Sequence, residues 1–221
     1  MPKKPIKAFI LDLDGVVTDT AEYHFQAWKK LAQEEDVPFT REDNEQLRGV
    51  SRRRSLELLL GDNLDRYREE EILALMARKN AYYQDLLTQI TEEDFLPGAR
   101  ELLNDLRARG IKIAIGSASK NTKTVLSRLG ILDFFDGISD GHSVVRAKPQ
   151  PDVFVYAAGL VGVPVANCVV VEDAEAGVEA ALAGGTFAVG IGPESRVGKA
   201  HFCYPATAEI DLEEIFQGKV K

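Results

Sequence analysis

Short apolar runs alternate with helix-like segments across the second half of this chain, and this alternation restricts its fold more than any other feature. Strand-like runs lie at residues 111–115, 169–171 and 187–191. Amphipathic segments that indicate helices lie at residues 99–109, 121–129, 152–161 and 177–183. Parallel strands need such crossover segments between them. We therefore predict an α/β fold: a doubly wound, Rossmann-like parallel sheet with helices on both faces.

An all-helical insertion separates these elements from one earlier strand. Residues 8–11 form a dense apolar run, and from residue 19 onward apolar residues recur at helical spacing, as at Phe25, Trp28 and Ala32. No strand-like run interrupts this stretch. With 221 residues, the chain is longer than one typical domain and shorter than two. We predict a Rossmann-like catalytic core formed by residues 1–18 and 95–221, and an inserted helical cap domain at 19–94.

Charge and cysteine content exclude several classes of partner and location. The chain has 27 basic and 35 acidic residues and a net charge of −8, so no overall positive field would attract nucleic acid or an anionic membrane. Two cysteines do not make a disulfide framework in a chain of this length. The apolar run at 8–11 is too short for a signal peptide, and no run of ~18 apolar residues occurs. We expect a cytoplasmic monomer that binds a small molecule.

The most informative polar residues directly follow predicted strands. Asp12 and Asp14 follow the first strand, Ser117 and Ser119 follow the second, and the pair Glu172-Asp173 follows a later one. In open α/β sheets, ligands bind at the carboxyl ends of the strands. Any one of these acids could be a helix cap or a solvated loop residue. As a set, they indicate a metal or catalytic centre.

The type of residue at these strand ends favours magnesium and phosphoryl transfer. Carboxylate oxygens suit Mg²⁺, whereas the chain lacks the Cys and His spacing of a zinc site. With Mg²⁺ bound, one aspartate could attack phosphorus to form an acyl phosphate while a second carboxylate moves the proton. Residues 117–121 could hold phosphate oxygens with hydroxyls and amides, and Lys148 supplies an ammonium group.

Four motifs in order along the chain resemble those of the haloacid dehalogenase superfamily. They are the segment 12–20, the Ser117-Ala118-Ser119 step, Lys148-Pro149 and Glu172-Asp173. The resemblance spans nearly the whole chain and implies a Rossmann-like core with a helical cap inserted after the first motif.

The same resemblance assigns roles to the motif residues. It implies that Asp12 is the nucleophile, that Asp14 is the general acid/base, and that Ser117 and Lys148 clamp the phosphate. It also implies one Mg²⁺ per subunit, held by Asp12, the backbone carbonyl of Asp14 and Asp173, with Glu172 on the metal side.

Cap segments resemble those of the helical-cap mutases of this superfamily. The segments are 20–28, 44–52, 78–80 and 119–121. By this resemblance Arg52 binds the phosphate distal to the reacting one, Lys79 and Asn121 contact sugar or phosphate, His24 orients the reacting hydroxyl, and Thr20 is a hinge residue. The remaining substrate-binding residues implied are Gly49, Ala118, Ser119 and Lys120.

The activity that the resemblance implies is an isomerisation. β-D-glucose 1-phosphate and glucose 6-phosphate would be interconverted through a phospho-aspartate enzyme and a glucose 1,6-bisphosphate intermediate, which also serves as primer. The chain departs from the pattern at Arg48, where the family often has lysine; this leaves the sugar-phosphate contacts there open.

Other interpretations remain open on the sequence. A Mg²⁺-dependent sugar-phosphate phosphatase of the same superfamily would use water as the final acceptor. A phosphoaccepting signalling receiver also combines aspartates, Mg²⁺ and a lysine, but it lacks so large an insertion. Gly190 and Gly192 resemble the start of a dinucleotide-binding fingerprint, although Ser195 stands at the third glycine position. Finally, Arg52 could belong to a solvated helix face, Lys79 could be a surface cation, and His24 could be a hydrogen-bonded cap residue.

Overall fold

A six-stranded, all-parallel sheet in the order β3-β2-β1-β4-β5-β6 organises the molecule. The computed structural model describes residues 5–218, so residues 1–4 and 219–221 of the predicted core lie outside the described part. The strands are β1 (Ala8–Leu11), β2 (Lys112–Gly116), β3 (Gly137–Ser139), β4 (Cys168–Glu172), β5 (Phe187–Ile191) and β6 (Phe202–Tyr204).

Five α-helices lie between β1 and β2, and one α-helix follows each of the later strands. The helices are α1 (Ala21–Glu34), α2 (Arg41–Glu45), α3 (Arg52–Leu60), α4 (Glu69–Leu87), α5 (Ala99–Ala108), α6 (Thr122–Arg128), α7 (Asp152–Leu160), α8 (Glu175–Ala183), α9 (Glu194–Val197) and α10 (Leu212–Gln217). None of the helices in residues 5–218 is long and apolar enough to cross a membrane.

The strand order predicts a ligand-binding crevice at the carboxyl end of β1. The chain runs from β1 to β2 and β3 on one side, then crosses to β4 on the other side of β1. A crevice forms at the carboxyl ends of strands where the order reverses in this way. The α/β prediction is confirmed, and the predicted strands and helices lie within two residues of those observed.

Two strands at the sheet edges were not predicted. β3 and β6 are three residues each and only partly buried, so neither presents the continuous apolar run that marks the central strands. By contrast, β1 and β4 are buried along their whole length, as expected for central strands of a sheet covered on both faces.

The helices α1 to α4 enclose an apolar cluster of their own. This cluster is made of residues between 28 and 75, with Trp28, Leu31 and Leu56 among its members. Two linkers join this part to the sheet, and they are hydrogen-bonded to each other: Thr18 Oγ1 donates to the Asp94 carbonyl at 2.6 Å and the Leu96 amide donates to the Val17 carbonyl at 3.0 Å. These contacts lie at the domain boundaries predicted from the sequence.

Candidate active site

Asp12 lies at the start of the loop that follows β1, at the carboxyl end of this central strand. β1 ends at Leu11, and the Asp12 amide donates to the Val171 carbonyl of β4 at 2.9 Å. The Asp12 side chain is buried beside the Lys148 ammonium, whose Nζ is 3.1 Å from Asp12 Oδ1. Lys148 also donates to Glu172 Oε1 at 2.5 Å. Burial by itself would lower the pKa of Lys148, but the Asp12 and Glu172 charges outweigh it and raise that pKa.

Three carboxylates converge next to this lysine. Oxygen atoms of Asp12, Glu172 and Asp173 lie within 4.8 Å of one another, and all three residues are buried. Burial and then the neighbouring Asp12 charge raise the pKa of Asp173 to about 7. Asp12 Oδ1 accepts no hydrogen bond from residues 5–218; its contact with Lys148, at 3.1 Å, is an ion pair. Clustered, under-compensated carboxylate oxygens are the donor set that Mg²⁺ prefers, so these residues fit that ion.

Gly15 allows the first loop to pass close to this cluster. Its φ is +75°, and a Cβ atom at this position would lie 2.3 Å from Asp173 Oδ2. A larger residue would therefore displace a carboxylate of the cluster, which gives a physical reason for glycine in the Asp-x-Asp-Gly segment.

Asp14 belongs to a different set of contacts. Its carboxylate is outside the three-carboxylate group and accepts a short hydrogen bond from Thr20 Oγ1. Thr20 in turn accepts a hydrogen bond from the hydroxyl of Tyr83, on α4, at 3.0 Å. Desolvation and the charge of Asp12 raise the pKa of Asp14 to about 7. A side chain of the helical insertion therefore reaches the predicted general acid/base through one intermediate, Thr20.

His24 and Lys79 form a buried polar pair on the helical side. Lys79 Nζ lies 2.8 Å from His24 Nδ1, and the ammonium is 4.5 Å from the ring centre of Trp28. Lys79 is only 2% exposed, so it is not a surface cation. Burial, with the nearby Arg52 charge second, holds the pKa of Lys79 well below its usual value. Burial, with Lys79 second, does the same for the pKa of His24.

Arg52 reaches the second polar cluster, which joins α3, α4 and the start of α6. Its guanidinium donates to Asn80 Oδ1 at 2.7 Å, and the same oxygen accepts from Asn121 Nδ2 at 2.9 Å. Gln84 completes the cluster by donating to Asn121 Oδ1 at 3.3 Å. Arg53 and Arg54 pair with Glu57 instead, so the three consecutive arginines do not share one solvated environment.

The loop after β2 is ordered by its own serines. Ser117 Oγ accepts from the Ser119 amide, and Ser119 Oγ accepts from the Asn121 amide, both at 3.1 Å. Each hydroxyl is the acceptor in these bonds, so its own proton can be donated to a phosphate oxygen. Lys120 is exposed at the edge of this loop.

A cavity of about 480 Å³ lies between the carboxyl ends of the strands and the helical insertion. Its volume is within the usual range for small-molecule sites. Thr20, Asn121 and Glu172 stand behind its wall, where they contact Asp14, Asn80 and Lys148. The other predicted site residues line the cavity: Asp12, Asp14, His24, Gly49, Arg52, Lys79, Ser117, Ala118, Ser119, Lys120, Lys148 and Asp173.

The contacts of Tyr83, Asn80 and Arg48 at this site were missed from the sequence. Tyr83 donates to the predicted residue Thr20, and Asn80 accepts from the predicted residue Arg52. In both pairs the two residues are far apart in the sequence. Arg48 turns towards the carboxylates, since its NH1 lies 2.9 Å from Asp173 Oδ2. The departure from the family pattern at Arg48 was the one signal in the sequence that marked this position.

Comparison with known proteins gives a consistent result. A family model described as haloacid dehalogenase-like hydrolase matches residues 6–185. A beta-phosphoglucomutase of Bacillus subtilis is 45% identical over 210 residues, which cover 94% of this chain and 93% of that protein. A phosphorylated carbohydrates phosphatase of Thermotoga maritima is 28% identical, covering 95% and 96% of the two chains. The crystal structure of a beta-phosphoglucomutase from Clostridium difficile superposes with a TM-score of 0.93 at 41% identity, over 96% of each chain.

Proposed function

The chain belongs to the haloacid dehalogenase-like hydrolase family, and from this premise we propose that it acts as a β-phosphoglucomutase. In this proposal it is an intramolecular phosphotransferase, a cytoplasmic monomer that interconverts β-D-glucose 1-phosphate and glucose 6-phosphate. The similarity to beta-phosphoglucomutases at 45% and 41% identity, over nearly the whole chain, supports this choice within the family.

Two separate sets of cations on opposite walls of one cavity are the observation that carries the proposal. On the sheet side, Lys148 lies beside Asp12. On the helical side, Arg52 and Lys79 form no ion pair with a carboxylate of residues 5–218; their hydrogen-bond partners are Asn80 and His24. Burying cations without counter-ions is costly, and a bound dianion would relieve that cost. A hexose bisphosphate carries one such group at each end.

Asp12 and Asp14 then divide the chemistry between them. With the phosphoryl group on Asp12, the sugar 6-hydroxyl oxygen attacks phosphorus, the bond from phosphorus to the Asp12 oxygen breaks, and Asp14 takes the hydroxyl proton. The product is glucose 1,6-bisphosphate, which reorients in the cavity. Its 1-phosphoryl group passes back to Asp12, and Asp14 returns the proton to the departing sugar oxygen.

The remaining residues neutralise charge and hold groups in place. Lys148 and Ser117 bind the transferring phosphoryl group, and Arg52 binds the distal phosphate. Lys79, Asn121 and the 118–120 segment contact the sugar phosphate, while His24 orients the reacting hydroxyl. Mg²⁺, held by Asp12, Asp173 and the backbone carbonyl of Asp14 beside Glu172, would neutralise charge on the phosphoryl group.

Exclusion of water separates a mutase from a phosphatase on this scaffold. An acyl phosphate on Asp12 hydrolyses if water reaches it, so the helical part must cover the cavity during transfer. The contacts of Tyr83 with Thr20, and of Thr20 with Asp14, link the covering helices to the proton-transfer residue. The relationship to the Thermotoga maritima phosphatase makes hydrolysis the competing function.

A coupled assay for glucose 6-phosphate separates the two functions. The enzyme is given Mg²⁺ and either β- or α-glucose 1-phosphate, with and without glucose 1,6-bisphosphate, and inorganic phosphate is measured in parallel. We expect glucose 6-phosphate from the β anomer, strong stimulation by the bisphosphate, and no turnover by Asp12→Asn. Release of phosphate alone from the primed enzyme would establish the phosphatase instead. Turnover of the α anomer alone would also refute the proposal.

A further inference from the structure

Arg48 connects the helical insertion to the carboxylates that would hold the metal ion. It lies in the loop between α2 and α3, and its NH1 is 2.9 Å from Asp173 Oδ2 across the cavity. The Arg48 side chain is 26% exposed and that of Asp173 is 6% exposed, so solvent screens this pair only in part. This contact places one positive charge at the site where a divalent cation would bind.

Glu45 holds the other edge of the same guanidinium. It accepts from Arg48 Nε at 3.1 Å and from Arg48 NH2 at 3.2 Å. Arg196, which donates to the Asp173 backbone carbonyl at 2.7 Å, has its NH1 3.5 Å from Glu45 Oε2. The planar fork of arginine allows one side chain to bind Glu45 and Asp173 at once, which a lysine ammonium cannot do with the same geometry.

We propose that Arg48 is a positioning residue that sets the affinity of the metal centre by competing with the divalent cation for Asp173. The guanidinium neutralises Asp173 before the metal arrives, and it repels a cation bound to the same carboxylate group. Metal binding must therefore loosen the contact between the 46–51 loop and Asp173. The inference rests on the metal centre of the proposed function.

The affinity for Mg²⁺ in the absence of any sugar phosphate tests this directly. Isothermal titration of the full chain with MgCl₂ should show binding about tenfold tighter in Arg48→Gln than in the wild type. Arg48→Lys should fall between the two, because it keeps the charge but loses the two-sided contact. Glu45→Gln should bind Mg²⁺ more weakly than the wild type, because Arg48 then has Asp173 as its only carboxylate partner.

Matched controls come from the pair Arg54 and Glu57 on α3, which contact each other. Arg54→Gln and Glu57→Gln make the same changes of charge away from Asp173 and should leave the Mg²⁺ affinity unchanged. Urea unfolding of each variant confirms that it is folded before titration.

The outcomes separate this proposal from the proposed function. If the wild type binds Mg²⁺ and Arg48→Gln binds it equally or more weakly, competition by Arg48 is refuted while the metal centre stands. If Arg54→Gln tightens binding as much as Arg48→Gln, the effect is one of overall charge and the proposal also fails. If no variant, wild type included, binds Mg²⁺, both the metal centre and this proposal are refuted.

Discussion

Lys79 Nζ lies 2.8 Å from His24 Nδ1, and neither side chain forms an ion pair with a carboxylate of residues 5–218. When Lys79 is charged, its ammonium is a donor only, so His24 Nδ1 accepts and the imidazole ring is neutral. The rings of His24 and Tyr83 stack with centres 4.0 Å apart, which restricts the orientation of the imidazole. In that state the ring proton is on Nε2, where it can donate to another group.

The first prediction concerns the pH dependence of stability. Burial and Lys79 lower the pKa of His24 below the unfolded value of 6.5, so the unfolded chain binds the extra proton first as pH falls. The stabilisation is complete above pH 6.5 and declines towards the folded pKa. From pH 6.5 to 5.5 the wild type should lose about 1 kcal/mol more unfolding free energy than His24→Gln.

Urea unfolding at both pH values measures this difference. Titrations of groups that do not contact His24 are common to both proteins and cancel. His142→Gln, at an exposed histidine, serves as the control and should follow the wild type. Equal pH slopes for the wild type and His24→Gln would contradict the neutral, buried imidazole.

The second prediction is that Arg52→Ala weakens binding of the sugar phosphate without lowering the thermal stability of the protein. Within residues 5–218 the guanidinium hydrogen-bonds an amide oxygen and forms no ion pair, and it lowers the pKa of the neighbouring Lys79. Its removal relieves this repulsion, so Tm should stay the same or rise. The KM for the sugar phosphate should increase about 10- to 150-fold from the loss of charge-assisted hydrogen bonds.

Arg54→Ala on the same helix is the control and should leave KM unchanged. A marked fall in Tm for Arg52→Ala with no change in KM would assign Arg52 a purely structural role.

The third prediction concerns the hydroxyl of Tyr83. Tyr83→Phe keeps the ring that packs against His24 but removes the donor to Thr20, at a cost of about 1 kcal/mol. We expect this loss to raise the barrier to phosphoryl transfer, so kcat should fall about fivefold with little change in KM. Tyr82→Phe removes the matching hydroxyl bond to Glu34 near the surface and should retain the wild-type kcat. Identical steady-state constants for the two variants would refute a role for Tyr83 in positioning Thr20.

The sequence predicted the parts of the fold that depend on local patterns. Central strands such as β4 are continuous apolar runs, and helices α5 and α6 end at Ala108 and Arg128, one residue before the ends of the predicted segments 99–109 and 121–129. The edge strands β3 and β6 escaped prediction because half-exposed strands of three residues resemble loops in sequence.

The site residues divide in the same way: residues in local sequence motifs were predicted, and contacts between distant segments were not. Asp12, Asp14 and Glu172-Asp173 were found because each lies close to the carboxyl end of a predicted strand and belongs to a motif. The partners Tyr83 and Thr20 are 63 residues apart in sequence, so their hydrogen bond depends on how α4 packs against the first linker. The contact of Arg48 with Asp173 spans 125 residues and depends on where the helical insertion lies over the sheet. Neither distance leaves a periodic signal in one sequence.

The fourth prediction tests the close approach of the helical insertion to the metal-side segment. Gly49 has φ +72°, and a Cβ atom there would lie 2.7 Å from the Cβ of Ala174, the residue after Asp173. Gly49→Ala therefore adds a steric clash between the helical insertion and the segment after Asp173 to the cost of a positive-φ backbone.

Gly61→Ala is the control: it shares the positive φ, +50°, but its Cβ would have no atom within 4 Å. Both variants should lose about 1–3 kcal/mol of unfolding free energy from the positive-φ backbone, Gly49→Ala should lose the cost of the clash in addition, and only Gly49→Ala should raise KM for the sugar phosphate. Urea unfolding and steady-state kinetics on the pair measure the two effects separately. Equal KM values for both variants would show that the loop can retreat from Ala174 without disturbing substrate binding.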